Sequence, residues 1–149
     1  MSEHKITLEW KRETESFTYD TYNRDHVVVF EGGSRLAVSA TQAYRGNPAL
    51  ANPEEAFIAS LSSCHMLTFL AVAAKRKFIV DRYSDQAVGV LEKNAQGKFA
   101  VTRVRLHPSV TFSGPTTPTS EQLSMLHEDA HKGCFIASSV TTEVTIEAA

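Results

Sequence analysis

Residues 52–77 read NPEEAFIASLSSCHMLTFLAVAAKRK, and this stretch predicts one long helix. Asn52 is a favoured N-cap residue and Pro53 suits the first helical position. Glu54 and Glu55 follow where the helix dipole is positive. Beyond them, apolar side chains occupy nearly every face, and a helix without a polar face is usually enclosed by protein. In a chain of 149 residues, a second copy of the chain is the natural source of that cover.

The apolar part of this stretch, Ala56–Ala74, has a membrane span as its alternative interpretation. Several polar side chains within the run disfavour a span. The first ten residues are polar and charged, without the apolar stretch of a secretory signal. We therefore expect a cytoplasmic protein with no membrane segment. The polar residues within the run are Ser60, Ser62, Ser63, His65 and Thr68.

Length and charge limit the classes of function. The chain has the size of one domain, so we predict a single domain over residues 1–149. The formal net charge is -2, and the only basic run, residues 75–77, closes the predicted helix. We therefore expect no nucleic-acid partner.

The rest of the chain predicts an α+β fold, in which antiparallel sheets flank the central buried helix. Apolar and polar residues alternate in several short segments, and a second helix begins at the capping box Thr119-Ser120-Glu121-Gln122. A turn over residues 94–97 joins the two longest strands. The predicted strands are Lys5–Glu13, Val27–Glu31, Arg35–Ser39, Gln86–Glu92, Lys98–His107 (extending toward Phe112) and Thr141–Glu147.

Two cysteines, Cys64 and Cys134, lie far apart in the sequence. Without a secretory signal, they are more typical of free thiols than of a structural disulfide. Apolar burial in the helix would make Cys64 inert, whereas a nearby cation would make it nucleophilic. Cys134 follows Gly133, the expected C-cap of the second helix, and precedes a short helical turn whose amides would favour a thiolate. Composition leaves both interpretations open.

Glu54 precedes Cys64 by ten residues. Along one helix this places the two about 15 Å apart, beyond hydrogen-bonding reach. If Glu54 serves the thiol at all, it must come from a second copy whose helix packs antiparallel. Two arginines could stabilise a thiolate: Arg45, in the loop before the helix, and Arg35, after the predicted turn at residues 32–33.

Two motifs in this order resemble the signatures of the OsmC/Ohr family, named for osmotically inducible protein C and organic hydroperoxide resistance. The first runs from Asn52-Pro53-Glu54-Glu55 to Cys64, and the second is Ala130-His131-Lys132-Gly133-Cys134. The residues around Cys64, from Ser63 to Leu67, resemble those of one OsmC-like branch more than those of the founding members of the family. The resemblance implies an intertwined homodimer, with crossing central helices, sheets built from both chains, and two active sites at the interface.

The resemblance also implies a function and its residues. It implies a peroxidase that reduces organic hydroperoxides, with Cys64 as the peroxidatic cysteine and Cys134 as the resolving cysteine. Glu54 would come from the other subunit, and Arg45 or Arg35 would be the activating arginine. A dithiol, such as a lipoylated protein, would be the reductant, and no metal or bound cofactor would be needed. The chain departs from the family pattern at Phe135, often proline, and at His65, often phenylalanine.

Two other functions stay open from the sequence. His127 and His131 share a helix face close to Cys134, and His65 adjoins Cys64. Together with the cysteines, these histidines could hold zinc. Alternatively, an apolar pocket at the subunit interface could bind a lipid-like molecule without any peroxidase activity.

Overall fold

Two units make up the chain in the computed structural model, which describes residues 1–149. They comprise residues 1–56 and residues 57–149. The prediction of a single domain over the whole chain stays a prediction. The α+β fold class, with two helices and mainly antiparallel sheets, is confirmed.

The first unit contains an antiparallel sheet in the order β1-β2-β3. Its strands are β1 (Ile6–Glu9), β2 (His26–Phe30) and β3 (Arg35–Val38). The predicted turn between β2 and β3 is confirmed, and Gly33 adopts a φ of 87° that glycine tolerates best. β1 ends sooner than predicted because the chain after Glu9 bonds to the loop around Asn23 instead of to β2.

The long helix, α1 (Pro53–Lys75), begins as the sequence predicts. The backbone N–H of Glu55 donates to Asn52 Oδ1 at 2.9 Å, and the backbone N–H of Asn52 donates to the Glu55 carboxylate at 3.1 Å. This reciprocal cap satisfies two amides that the helix leaves free. α1 ends two residues earlier than predicted because Lys77 adopts a left-handed backbone conformation, with φ 63°.

The second unit contains two sheets and a second helix, α2 (Ser120–Gly133), which starts at the predicted capping box around Thr119. One sheet pairs β4 with β7, and the other has the order β5-β6-β8. All strand pairs are antiparallel except β6 with β8, which is parallel. The strands are β4 (Ile79–Asp85), β5 (Val88–Lys93), β6 (Phe99–Leu106), β7 (Pro108–Ser113) and β8 (Glu143–Ile146).

Two strand predictions need correction. β4 was absent from the predicted pattern, and the strand expected to continue toward Phe112 is divided into β6 and β7. The break falls at His107, whose backbone N–H donates to the Asp85 side chain at 2.7 Å instead of to a strand. Pro108 follows, and it offers no amide hydrogen to continue the ladder.

α1 fully buries only one stripe of its surface within the chain. Leu61, His65, Phe69 and Ala73 recur every fourth residue and are almost completely buried. Phe69 and Ala73 pack with Leu126 and Ala130 of α2, whereas Leu61 packs with Val104 and Leu106 of β6. These two clusters form the core of the second unit.

The opposite stripe of α1 is exposed. It consists of Ala59, Ser63, Leu67 and Ala71, and Leu67 is 60% exposed. By length and composition α1 could cross a membrane, since its most apolar window has a mean hydropathy of 1.7. The central helix of a globular domain meets the same criteria, and an uncovered apolar stripe equally fits a contact with a second copy.

Candidate active site

The two cysteines meet in the second unit. Cys64 lies in the middle of α1, Cys134 caps the C-terminal end of α2, and the two residues approach to 2.9 Å. Both are free thiols. This contact places the sulfur atoms within reach of a disulfide without any rearrangement of the helices.

Gly133 makes the contact possible. A Cβ at this position would lie 3.0 Å from the Thr68 methyl group, so alanine here would require Thr68 or the end of α2 to shift by a few tenths of an ångström. The prediction that Gly133 is the C-cap is wrong by one residue, because Gly133 is the last helical residue and Cys134 is the C-cap, with φ -76°. The glycine serves close packing here and not an unusual backbone conformation.

The surroundings of Cys64 favour its thiolate. Burial on its own raises the pKa of Cys64, but the Cys134 thiol and the backbone N–H groups of Ile136 and Phe135 stabilise the negative sulfur and lower the pKa below its ordinary value. The two amides belong to the turn that leads into the short 3₁₀ helix Ala137–Ser139. The amides that the sequence predicted for Cys134 therefore serve Cys64 as well.

Cys134 has the opposite character. It is 1% exposed, and burial together with its interaction with Cys64 raises its pKa, although the backbone N–H of Ala137 approaches its sulfur at 3.4 Å. Cys64 is partly exposed. Of the pair, Cys64 is thus the more accessible thiol and the more readily ionised one, whereas Cys134 is buried.

Glu54 lies in the first unit, at the first turn of α1. It lines a cavity of about 520 Å³ together with Arg24, an arginine that the sequence analysis did not consider. Neither side chain takes part in an ion pair. The Arg24 guanidinium stacks on the Tyr22 ring, 3.6 Å from its centroid.

Arg45 and Arg35, the two predicted arginines, lie at the surface of the same unit. Arg45 pairs with Asp20 at 2.8 Å, and Arg35 pairs with Glu9 at 3.4 Å. Their charges are therefore already matched by carboxylates. No local sequence signal marks Arg24, because it lies in the loop before β2, 30 residues from Glu54, and only the fold brings both to one cavity.

His65 and His127 form a buried pair between α1 and α2. Their rings are stacked, and Nε2 of His65 lies 3.1 Å from Nδ1 of His127. Burial is the main cause that lowers the pKa of both, and for His65 to about 4, so both rings are neutral near pH 7. The two histidines thus bind each other. No group of three or more metal-binding side chains has a geometry suited to a metal ion, so the predicted alternative set of His127, His131 and Cys134 does not assemble.

A sequence model described as OsmC-like protein matches residues 46–149, which is more than half of the chain. The chain belongs to the OsmC-like protein family. An OsmC-like protein of unknown function from Vibrio cholerae O1, whose structure is solved, is 49% identical in sequence to this OsmC-like protein. Each chain is covered completely, with a TM-score of 0.96. No curated protein matches the sequence.

More distant structures share the fold of this OsmC-like protein. An organic hydroperoxide resistance protein OsmC from Legionella pneumophila is 17% identical and has a TM-score of 0.75, over 100% of this chain and 98% of that one. The organic hydroperoxide resistance protein OhrB of Bacillus subtilis is 18% identical and has a TM-score of 0.69, over 99% and 98%. These likenesses support the fold assignment.

Proposed function

We propose that this protein is a two-cysteine thiol peroxidase that reduces organic hydroperoxides. The observation that carries the proposal is the 2.9 Å approach of Cys64 to Cys134, in which one thiol has a lowered pKa and the other a raised pKa. Such a pair has an accessible nucleophile and a resolving partner within bonding reach. Related structures that carry the name organic hydroperoxide resistance protein support the choice of substrate.

The proposed reaction begins with the Cys64 thiolate. Its sulfur attacks the distal oxygen of the hydroperoxide, an S–O bond forms, the O–O bond breaks, and the alkoxide leaves and takes up a proton to become an alcohol. The sulfenic acid on Cys64 is then attacked by the Cys134 sulfur. A disulfide forms, and the hydroxyl group leaves as water with the proton of the Cys134 thiol.

A second copy of the chain completes the proposed site. The exposed stripe of α1 has small side chains at Ala59, Ser63 and Ala71, which allow a second helix to approach closely, and Leu67 between them supplies apolar area. An antiparallel arrangement of the two helices would bring Glu54 of one copy toward Cys64 of the other. Glu54 would orient the arginine that stabilises the thiolate and the leaving alkoxide.

Arg24 joins Arg45 and Arg35 as a candidate for that arginine. It is favoured because it shares a cavity with Glu54 and has no carboxylate partner, whereas the other two are paired at the surface. An external dithiol, such as a lipoylated protein, would reduce the disulfide by exchange in the cytoplasm.

The decisive experiment treats the reduced protein with one equivalent of cumene hydroperoxide and measures its intact mass. We expect the loss of two hydrogen atoms and a Cys64–Cys134 bridge in the peptide map. Cys134→Ser should stop at a sulfenic acid on Cys64 after one turnover, and Cys64→Ser should consume no peroxide. Multiple turnovers by Cys64→Ser, or a wild-type protein whose mass does not change, would contradict the proposal.

A further inference from the structure

The cavity of the first unit, which Arg24 and Glu54 line, has mainly aromatic apolar walls. Its large apolar side chains are all aromatic: Trp10, Phe17, Tyr22 and Tyr44. Its aliphatic lining consists only of the small residues Ala40 and Pro53. A volume of about 520 Å³ lies within the range of small-molecule sites. A pocket for a flexible alkyl chain would be expected to contain leucine, isoleucine or methionine, which adapt to a chain more easily than rings do.

The aromatic wall is held in place by its own loop. Asn23 is central, because its side chain accepts from the backbone N–H of Glu13 at 2.9 Å and donates to the carbonyl oxygen of Lys11 at 2.8 Å. The indole N–H of Trp10 donates to the Asn23 carbonyl oxygen at 2.8 Å. The loop between β1 and β2 is therefore cross-linked by hydrogen bonds, and the cavity is formed before any ligand arrives.

Three of the rings already contact one another, one pair edge-to-face and the other tilted. Phe17 lies 6.1 Å from Trp10 in an edge-to-face arrangement and 5.3 Å from Tyr22, measured between ring centroids. Aromatic side chains prefer such contacts, and a flat aromatic ligand could continue the series inside the cavity. A saturated ring of the same size lacks the quadrupole that these contacts use.

The polar part of the lining adds two charged side chains, Arg24 and Glu54, to the aromatic walls. The two terminal nitrogens of Arg24 donate to the carbonyl oxygens of Tyr22 and Tyr19, whereas its Nε is buried without a hydrogen-bond partner. Arg24 also has no carboxylate partner, so its charge favours an oxygen atom of a ligand in the cavity. Glu54 lines the same cavity and can accept a hydrogen bond from a hydroxyl group. The cavity thus combines aromatic walls with one donor of positive charge and one acceptor.

We propose that this cavity binds an aromatic ring that carries an oxygen-bearing alkyl substituent, so that aryl-alkyl hydroperoxides are the preferred substrates. The part that concerns hydroperoxides rests on the proposed function. The binding site itself requires only the described residues of the first unit.

The chain contains a single tryptophan, Trp10, and it lines the cavity. Its fluorescence can therefore report binding directly. The two probes are cumyl alcohol and 2-cyclohexyl-2-propanol, which have the same carbon skeleton and hydroxyl group and differ in the aromaticity of the ring. We expect the aromatic alcohol to bind about tenfold more tightly. Each aromatic contact contributes part of the binding free energy that a tenfold change in affinity requires, and several such contacts together supply it.

Two variants and a control test the walls. Phe17→Leu and Tyr44→Leu keep an apolar side chain but remove a ring, and each should reduce the preference for cumyl alcohol several-fold. Phe30→Leu alters an aromatic residue of β2 that is 42% exposed and does not line the cavity, so the preference should be unchanged. Circular dichroism checks that each variant folds, and Tyr44 lies in a separate segment should Phe17→Leu fail to fold.

Equal affinity for the two alcohols, or an unchanged preference in both ring variants, would overturn the inference. So would the absence of any Trp10 response to cumyl alcohol. These outcomes can be separated from failure of the proposed function. Peroxide consumption without a preference for the aromatic alcohol would leave the peroxidase and remove the aromatic site. A clear preference for the aromatic alcohol in a protein that consumes no peroxide would support the aromatic site and contradict the peroxidase.

Discussion

Gly133 packs against Thr68 so closely that a Cβ on Gly133 would lie 3.0 Å from the Thr68 methyl group. Thr68 is itself fixed, because its hydroxyl group donates to the Cys64 carbonyl oxygen at 2.8 Å, one helical turn earlier. The residue that precedes one cysteine is thus in contact with the turn of α1 that carries the other. This contact therefore lies directly beside the 2.9 Å approach of Cys64 to Cys134.

We predict that Gly133→Ala slows formation of the disulfide. We expect the added methyl group to move the end of α2 from α1 by a few tenths of an ångström, and such a displacement in a reacting pair can slow its reaction by about tenfold or more. Formation of the sulfenic acid should be nearly unchanged, so the acid should accumulate and be trapped by dimedone. Gly32→Ala is the control, because nothing lies within 4 Å of a Cβ there. A disulfide rate equal to that of the wild type would remove this role from Gly133.

Substitution of the arginines distinguishes the three candidates. Arg24→Lys should lower kcat/KM for cumene hydroperoxide by about tenfold to a hundredfold, since lysine lacks the planar fork and a hydrogen bond to a charged group contributes on this scale. Arg45→Lys and Arg35→Lys are matched controls at surface ion pairs and should remain within about twofold, because such pairs contribute little. The largest loss in Arg45→Lys would return the role to Arg45.

Local signals in the sequence were enough to predict both helix starts. The cap at Asn52 and the capping box at Thr119 depend on residues three positions apart, and both are present. β4 was missed because its register shifts between Val80 and Arg82, which interrupts the alternation by which a strand is recognised. The parallel pairing of β8 with β6 joins segments distant in sequence, which no local pattern records.

The candidate site was likewise predicted only in part. Cys64 and Cys134 were predicted to meet from two motifs that resemble a family, and the structure places them together. The pairing of His65 with His127 and the cavity shared by Arg24 and Glu54 were not predicted. Both depend on the packing of elements against one another, so composition and spacing carry no trace of them.

The buried histidine pair predicts a loss of stability in acid. The pKa of His65 is lowered from 6.5 to about 4, by burial first and then by the neighbouring His127 and His131, while Asp85 opposes the shift. Between these two pH values the unfolded chain binds a proton at His65 that the folded protein rejects. Stability should therefore be complete above about pH 6.5 and decrease as the pH falls toward about 4, as measured by the midpoint of urea unfolding.

A double substitution isolates this effect. His65→Leu with His127→Leu removes both partners, so no buried nitrogen loses its hydrogen bond, and the dependence on pH should become flatter over this window. His4→Gln changes an exposed histidine near the N-terminus and should leave the dependence unchanged. An equally steep dependence in the double variant would assign the acid sensitivity to other groups.

The proposal that two copies share a site can be tested by mixing inactive subunits. If Glu54 of one copy serves Cys64 of the other, a heterodimer of Cys64→Ser with Glu54→Gln contains one intact site and one with both defects. Co-expression with two affinity tags yields that heterodimer, and its activity should be about half that of the wild type, because one of two equivalent sites works. Each homodimer should be far less active. A heterodimer no more active than the mean of the two homodimers would place Glu54 and Cys64 of the working site in one chain, or remove Glu54 from the reaction.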